Sequence, residues 1–500
     1  MGMTRNWQGE LAKKRIRGTY AWPGCDHVAG ELRLRGARTQ LKVHSEKFLA
    51  RIENADCIHG VAHTGEILTL VGCQSSGTAT TSVKDGPPIY HAEVFPHFVV
   101  IGRQKFSPAQ PSIHSIRFSS IDLTTLFYDF DAFGFVVNAS SVIDTVLRER
   151  REMRAVETGA SPLVCYYTGR ERIVEVKSEI GTISVYHSPA YNFGGPDGLN
   201  IRNRMTIAIE LANPIALEEA IYRIDSVTCF LSMAAGRAQG VQGIQVLTSA
   251  SNDDDAAFLS VHASFPPSMG PKVDAHKPHP ADVPFDPIHR RSEFEAALAN
   301  WIQRHEGWRF ARSRYVDCIR NGNQYGTDRL VAAANMFDVL PNEAVPLGAE
   351  VGSDLASARD VSVAAFRKLP ASSARDSALS ALGRIGKPSL PNKVAHRIGV
   401  VLPLLGERFQ DLQLVASTAV KCRNFLVHGN SADINYAKIE RFVPFLTDAL
   451  EFIFAASDFI DAGWDARIWI SRAGGWGHSF SRFRSNYDET LALLRIAMAA

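Results

Sequence analysis

The spacing of apolar residues changes character near residue 290, and that change constrains the fold more than any other feature of the chain. Before it, apolar residues come in short alternating runs. Leu32, Leu34, Leu41 and Val43 flank Gly36, a pattern that predicts a hairpin. Residues 67–71, 98–102, 116–118, 173–176 and 207–210 read as further strands, with Pro and Gly between them. One helix interrupts, over 214–235; Pro214 suits a first turn and Gly236 a stop. After residue 290 the period is helical, over 292–316, 326–340, 359–368, 372–385, 391–405, 408–428 and 436–461. Ser292 and Glu295 have the spacing of a capping box at the first of these. Residues 251–289 open with Asp253-Asp254-Asp255, are rich in Pro, and read as loop and linker. The expected fold class is α+β, with a β-rich region over 1–288 and an α-helical domain over 289–500.

Composition narrows the function classes. The 500 residues allow about three domains at roughly 150 residues each. At 45% hydrophobic and 21% charged, the chain is neither disordered nor a disulfide-stapled mini-domain. Its 54 basic and 52 acidic residues nearly cancel, so any nucleic-acid site must be a local patch. Seven cysteines, an odd number without a Cys-x-x-Cys, fit free thiols in a reducing compartment. The first twenty residues carry Arg5, Lys13, Lys14, Arg15 and Arg17 with no apolar stretch of the signal-peptide kind. The best apolar run, 443–456, is broken by Asp448 and Glu451, and no run approaches the roughly 18 residues of a membrane span. A cytoplasmic protein without a membrane partner is expected.

The strongest chemical motif is Arg423-Asn424-Phe425-Leu426-Val427-His428-Gly429. It closes a helix in which Leu412, Val415, Ala416 and Ala419 share one stripe, and Arg423 falls on that stripe. A guanidinium on an apolar face needs a partner or an interface. Asn424 and His428, four residues apart, share the neighbouring face. Gly429 is a stop signal, so His428 sits at a helix C-terminus. These residue types suit RNA cleavage by the RNA's own 2′-hydroxyl. A histidine moves the proton and an arginine stabilises charge on the phosphate, with no cofactor and no metal. The Arg-x(4–6)-His spacing alone is unspecific, since Arg38…His44 and Arg472…His478 also satisfy it. The competing reading is a buried ion-paired Arg with a capping His, in a non-catalytic module that binds a nucleotide or a protein.

Arg423-Asn424-x-x-x-His428-Gly429 resembles the signature of HEPN domains, a helical group with many ribonucleases. Upstream, Arg329…Asn335…Asp338 is similar to the first-helix pattern of the HEPN domains in ApeA-like anti-phage proteins. Asp338 stands where that pattern usually has Glu, and Leu340-Pro341 replaces its usual His-Arg. Gly18-Thr-Tyr-Ala-Trp22-Pro23, Gly30-Glu-Leu32-Arg-Leu34, Thr69-Leu70-Val71 and 98–118 resemble the ApeA N-terminal domain. The resemblance implies a metal-independent endoribonuclease of abortive infection, homodimeric through its HEPN domain. It implies an RNA substrate, tRNA among the candidates, and an unidentified phage-derived trigger sensed by the β-rich half. It implies Arg423, Asn424 and His428 as catalytic residues, with Asp338 supporting Arg423.

Other motifs are weaker. In 469–487, Arg472, His478, Arg482 and Arg484 interleave with aromatics, either as an RNA-binding strip or as packing on the bundle. Cys57, His59, His63 and Cys73 lack a familiar zinc spacing, and strand alternation explains them. His276 and His279 read as solvated, and residues 193–198 as a tight turn that lacks the Gly-Lys-Ser/Thr of a phosphate loop.

Overall fold

The structure is a computed structural model. It describes all residues except 1–13, 53–54, 83, 85, 195, 197, 249–257, 273–275, 348–351, 430–433, 473 and 500. Arg5, Lys13, Gly195, Asp197 and Asp253–Asp255 of the sequence reading thus lie outside the described residues.

The chain divides into two compact units, Met1–Gly270 with Phe285–Gln303, and Pro271–Pro284 with Arg304–Ala500. The division is interleaved, where the sequence suggested one cut after residue 288. In the first unit Phe230 meets Phe285, Phe294 and Trp301 at 5.5, 6.0 and 5.4 Å between ring centroids. In the second, Trp464 Nε1 and Trp469 Nε1 donate to the carbonyls of Pro284 and Asp282 at 2.9 and 3.3 Å.

The first unit is built on antiparallel strands: β1 (Arg15–Trp22), β2 (Cys25–Arg33), β3 (Gln40–Ser45), β4 (Ala55–Ala62), β5 (Ile67–Thr81), β6 (Ile89–Phe95), β7 (Phe98–Gly102), β8 (Ile113–Ser120), β9 (Phe133–Val137), β10 (Leu163–Tyr167), β11 (Arg172–Ser178), β12 (Gly181–His187), β13 (Ala190–Phe193), β14 (Leu199–Arg202), β15 (Met205–Ile215), β16 (Val241–Thr248) and β17 (Leu259–Ala263). Six of them close into a barrel in the order β5-β4-β1-β2-β3-β6, with β6 returning to β5. Ile16, Tyr20, Leu32, Leu41, Val43 and Leu70 fill its interior. Gly60 is small for a reason: a Cβ there would come within 2.5 Å of the Tyr20 ring. The first half of β5 pairs instead with β7 and leads into an open sheet, β11-β12-β15-β8-β16-β17-β7.

Helix α1 (Ser140–Met153) has no buried residue. Helix α2 (Leu217–Ala235) packs on β8 and ends at Gly236 in the left-handed conformation, φ 62°. Pro214 lies in β15, not in the helix, beyond the point where the register with β8 breaks. Helix α3 (Arg291–Gln303) packs on β11. Its entry is shaped by Asp286, whose Oδ1 accepts the Ile288 and His289 N–H groups at 3.2 and 2.9 Å, while Ser292 already lies inside the helix.

The second unit contains α4 (His305–Ile319), α5 (Thr327–Asp338), α6 (Ser353–Arg367), α7 (Ser373–Leu382), α8 (Leu390–Leu405), α9 (Leu412–His428), α10 (Val443–Ala462) and α11 (Ser479–Ala499). Helix α10 is the central rod and touches α5, α8, α9 and α11. Three of its acids pair with arginines. Arg312 grips Asp458 with two bonds of 2.8 and 2.9 Å, both side chains fully buried. Arg397 reaches Asp461 at 2.6 Å, and Arg329 holds Glu451 at 2.8 and 2.9 Å. Buried charges persist only when paired in this way. Helices α6 and α7 pack on each other and bury no residue.

Candidate active site

Helix α9 buries Leu412, Val415, Ala416 and Ala419, the apolar stripe of the sequence, and also Cys422. It stops at Gly429, which takes φ 69° and donates its N–H to the Phe425 carbonyl at 2.8 Å. A left-handed cap of this kind favours glycine and releases the chain at once. His428 is therefore the last helical residue, and it is exposed.

Helix α5 faces α9. It is pinned at its start by the Arg329–Glu451 pair, with the guanidinium also over the Tyr325 ring, 4.5 Å to the centroid. Leu330, Ala333, Ala334 and Phe337 are buried, and Asn335 and Asp338, one turn apart, reach Arg423.

Arg423 is the centre of the arrangement. Its Nη2 donates to Asn335 Oδ1 at 2.9 Å and lies 3.5 Å from Asp338 Oδ2; its Nη1 donates to Asn424 Oδ1 at 3.2 Å. The side chain is 16% exposed, against 40% for Asp338. Its Nε is buried and has no hydrogen-bond partner among the described residues. Lys393 of α8 donates to the Asp338 backbone carbonyl at 2.9 Å. The Tyr436 ring stacks on Phe425 at 5.0 Å and 21°, packing the last turns of α9.

The structure brings Arg423, Asn424 and Asp338 together. His428 points elsewhere: five residues along a helix turn it roughly 140° from Arg423. Asn424 links the two, since it bonds Arg423 and shares a face with His428. Sequence reasoning named Asn335 within a pattern but gave it no role, yet it is the partner nearest to Arg423. Its signal was the three-residue spacing to Asp338, which places both on one helix face.

Of the two readings of the aromatic–basic segment, the structure shows His478 and Arg484 turned inward. His478 is fully buried, and its Nδ1 accepts the Phe480 N–H at 3.0 Å at the start of α11. Arg484, 9% exposed, donates to the carbonyls of Trp469, Ile470 and Arg472 at 3.3, 3.2 and 3.1 Å and lies over the Trp469 ring. Arg482 donates to the Trp476 and Gly477 carbonyls at 3.2 and 3.0 Å. The loop itself is tied down by Asp282, which accepts the Gly475 and Gly477 N–H groups at 2.6 and 3.1 Å. Arginines whose donors satisfy backbone carbonyls are structural clamps, and Arg472 contributes its carbonyl to one of them.

Cys57 lies 3.6 Å from His59, while His63 bonds the Arg17 carbonyl. Among the described residues no group of three or more His, Cys, Asp or Glu side chains converges as a metal site. No described helix is long and apolar enough to cross a membrane.

Comparison with known families places these features. Residues 15–301, more than half of the chain, match ApeA N-terminal domain 1. The chain belongs to the ApeA family. Residues 331–468 match the Apea-like HEPN domain, and this span holds Asn335, Asp338, Arg423, Asn424 and His428. HEPN domains are generally a ribonuclease fold, and the ApeA connection associates this one with anti-phage defence. No curated protein and no solved structure matches the chain.

Proposed function

We propose that this ApeA-family chain is a metal-independent endoribonuclease that acts in abortive infection. The observation that carries the reading is the Arg423 guanidinium, fixed by Asn335 and Asn424 on a helix that ends in an exposed histidine. In the reaction a 2′-oxygen of RNA attacks the adjacent phosphorus and the bond to the 5′-oxygen breaks. The products carry a 2′,3′-cyclic phosphate and a 5′-hydroxyl. His428 moves the proton, between the 2′-hydroxyl and the leaving oxygen, as general acid–base. Arg423 stabilises the charge that builds on the phosphate. Asn424 positions His428 or the RNA, and Asp338 with Asn335 orients Arg423.

The divergence of Arg423 and His428 around α9 supports a homodimer through the HEPN domain, in which two motifs share one cleft. Residues 1–288 serve as the sensor that keeps the nuclease latent until a phage-derived trigger arrives, and the protein works in the cytoplasm on cellular RNA, with tRNA a candidate target. The test is phage growth on cells that express wild-type, Arg423→Ala or His428→Ala protein, with RNA sequenced from infected cells. The wild type alone should restrict phage and leave fragments with cyclic-phosphate ends. Equal restriction by both variants would favour a non-catalytic binding module instead.

A further inference from the structure

The segment from Tyr128 to Tyr167 of the β-rich unit is folded but largely uncovered. Among the described residues β9 and β10 pair only with each other, with Val137 opposite Leu163, Phe135 opposite Cys165 and Phe133 opposite Tyr167. Phe133 and Tyr167 anchor one end. Their rings stack at 4.7 Å and meet the buried His187 of β12 at 5.5 and 5.9 Å. Away from that end the same face turns to solvent. Phe135, Val137 and Leu163 are 68, 59 and 56% exposed, and Cys165 beside them is exposed as well.

The sequence of these strands fits burial, not exposure. Phe-Gly-Phe-Val-Val and Leu-Val-Cys-Tyr-Tyr carry no charge and do not alternate, the pattern of strands covered on both faces. They also lack the Lys, Glu or Pro that blunts a solvent-facing edge. A two-stranded sheet gains independent stability in water only from further strands or a packed layer. Helix α1, which follows β9 at once, shows the same discrepancy. Val142, Ile143, Val146 and Leu147 form one apolar stripe, yet no residue of the helix is buried.

The exposed area is that of an interface. Ten large apolar side chains between Tyr128 and Tyr166 are exposed, Phe130, Val146 and Met153 among them. At roughly 150–200 Å² for a fully exposed side chain of this size, they present about 1,000 Å² of apolar surface. The largest apolar patch of a monomer is about 300–600 Å², and a stable complex takes about 800 Å² from each partner. Charge favours a second copy as the occupant. Arg148, Arg150, Arg151 and Arg154 interleave with Asp144, Glu149 and Glu152 on and just after α1, so the surface carries both signs. An isologous interface sets a patch against itself, which a patch of one sign would oppose and a mixed one permits.

We propose that this segment is a self-association face: α1 and the Phe135–Leu163 face of β9 and β10 pack on the same elements of a second copy about a two-fold axis. The face belongs to the β-rich unit. It is separate from the HEPN contact proposed above and does not depend on it.

Hydrogen exchange of the full chain tests it, read by mass spectrometry below and above the association midpoint found by sedimentation velocity. Peptides covering 133–153 and 163–167 should exchange about tenfold or more slowly in the associated form. Phe135→Lys and Val146→Lys, both at exposed positions, should each weaken association about tenfold or more with unchanged thermal unfolding. Arg423→Ala should leave the protection of these peptides as in the wild type. Four outcomes overturn the proposal. The chain stays monomeric up to about 100 μM. Association leaves exchange in these peptides unchanged, which would assign it to the HEPN unit alone. Both Lys variants associate as the wild type does. Protection of these peptides arises only on adding an extract of infected cells, which would assign the face to a foreign protein.

Discussion

Arg423 donates to Asn335 at 2.9 Å and lies 3.5 Å from Asp338, so the amide of α5 holds the guanidinium more closely than the acid does. The acid is also the more exposed of the two. Orientation of Arg423 thus rests first on a charge-assisted hydrogen bond to a neutral acceptor, which does not titrate.

A ranking of variants follows. Asn335→Ala should lower single-turnover RNA cleavage about a hundredfold by letting the guanidinium shift. Asp338→Asn, which keeps an acceptor at the longer contact, should cost less. Equal losses, or a larger loss at Asp338, would reverse the assignment of the main orienting residue.

The start of α5 depends on a buried ion pair. Side chains of Arg329 and Glu451 are 6% and 5% exposed, and their two bonds are 2.8 and 2.9 Å. Arg329→Met alone leaves a buried carboxylate and should cost about 3–5 kcal/mol in urea unfolding. The double variant Arg329→Met with Glu451→Leu should recover most of that loss, because neither charge then needs a partner.

Asp448 gives a pH dependence with a definite sign. Burial, with the Glu451 charge second, raises its carboxyl from 3.8 to about 7, against the hydrogen bond from Tyr325 at 2.7 Å. The folded state therefore holds a proton that the unfolded chain releases, and stability from this group is lost as pH rises from about 4 through 7. Asp448→Asn should flatten that decline and melt above the wild type at pH 8. Parallel melting curves across pH 5 to 8 would contradict it.

The inward turn of 469–487 makes a separate forecast. Arg484→Ala removes donors from three carbonyls, in one buried and two partly buried hydrogen bonds, and should cost about 1–3 kcal/mol in stability. RNA binding by the folded variant should not change, as measured by filter retention below its melting temperature.

How much of this was legible in the sequence depends on burial. Strand β7 was read with its observed bounds, and the turn at Gly36 joins β2 to β3 as expected, because alternation reports a half-buried strand directly. The stripe Leu412, Val415, Ala416, Ala419 was visible for the same reason and located Arg423 beside the core. Helix α1 escaped notice because its apolar stripe is short and buries nothing. The expected helix 292–316 is two helices, α3 and α4, meeting at Arg304, a break that period counting does not register. Asp448 and Glu451 looked like interruptions of an apolar run, whereas Tyr325 and Arg329, more than a hundred residues earlier, make their burial possible. Asn335 and the fate of Arg484 likewise depend on contacts between distant segments, which composition and period do not encode.

The most direct measurement is cleavage of total cellular RNA by the purified protein in EDTA, wild type beside His428→Ala. The account predicts fragments from the wild type only, undiminished by the chelator. Undiminished cleavage by His428→Ala, or cleavage by the wild type that EDTA abolishes, would contradict it.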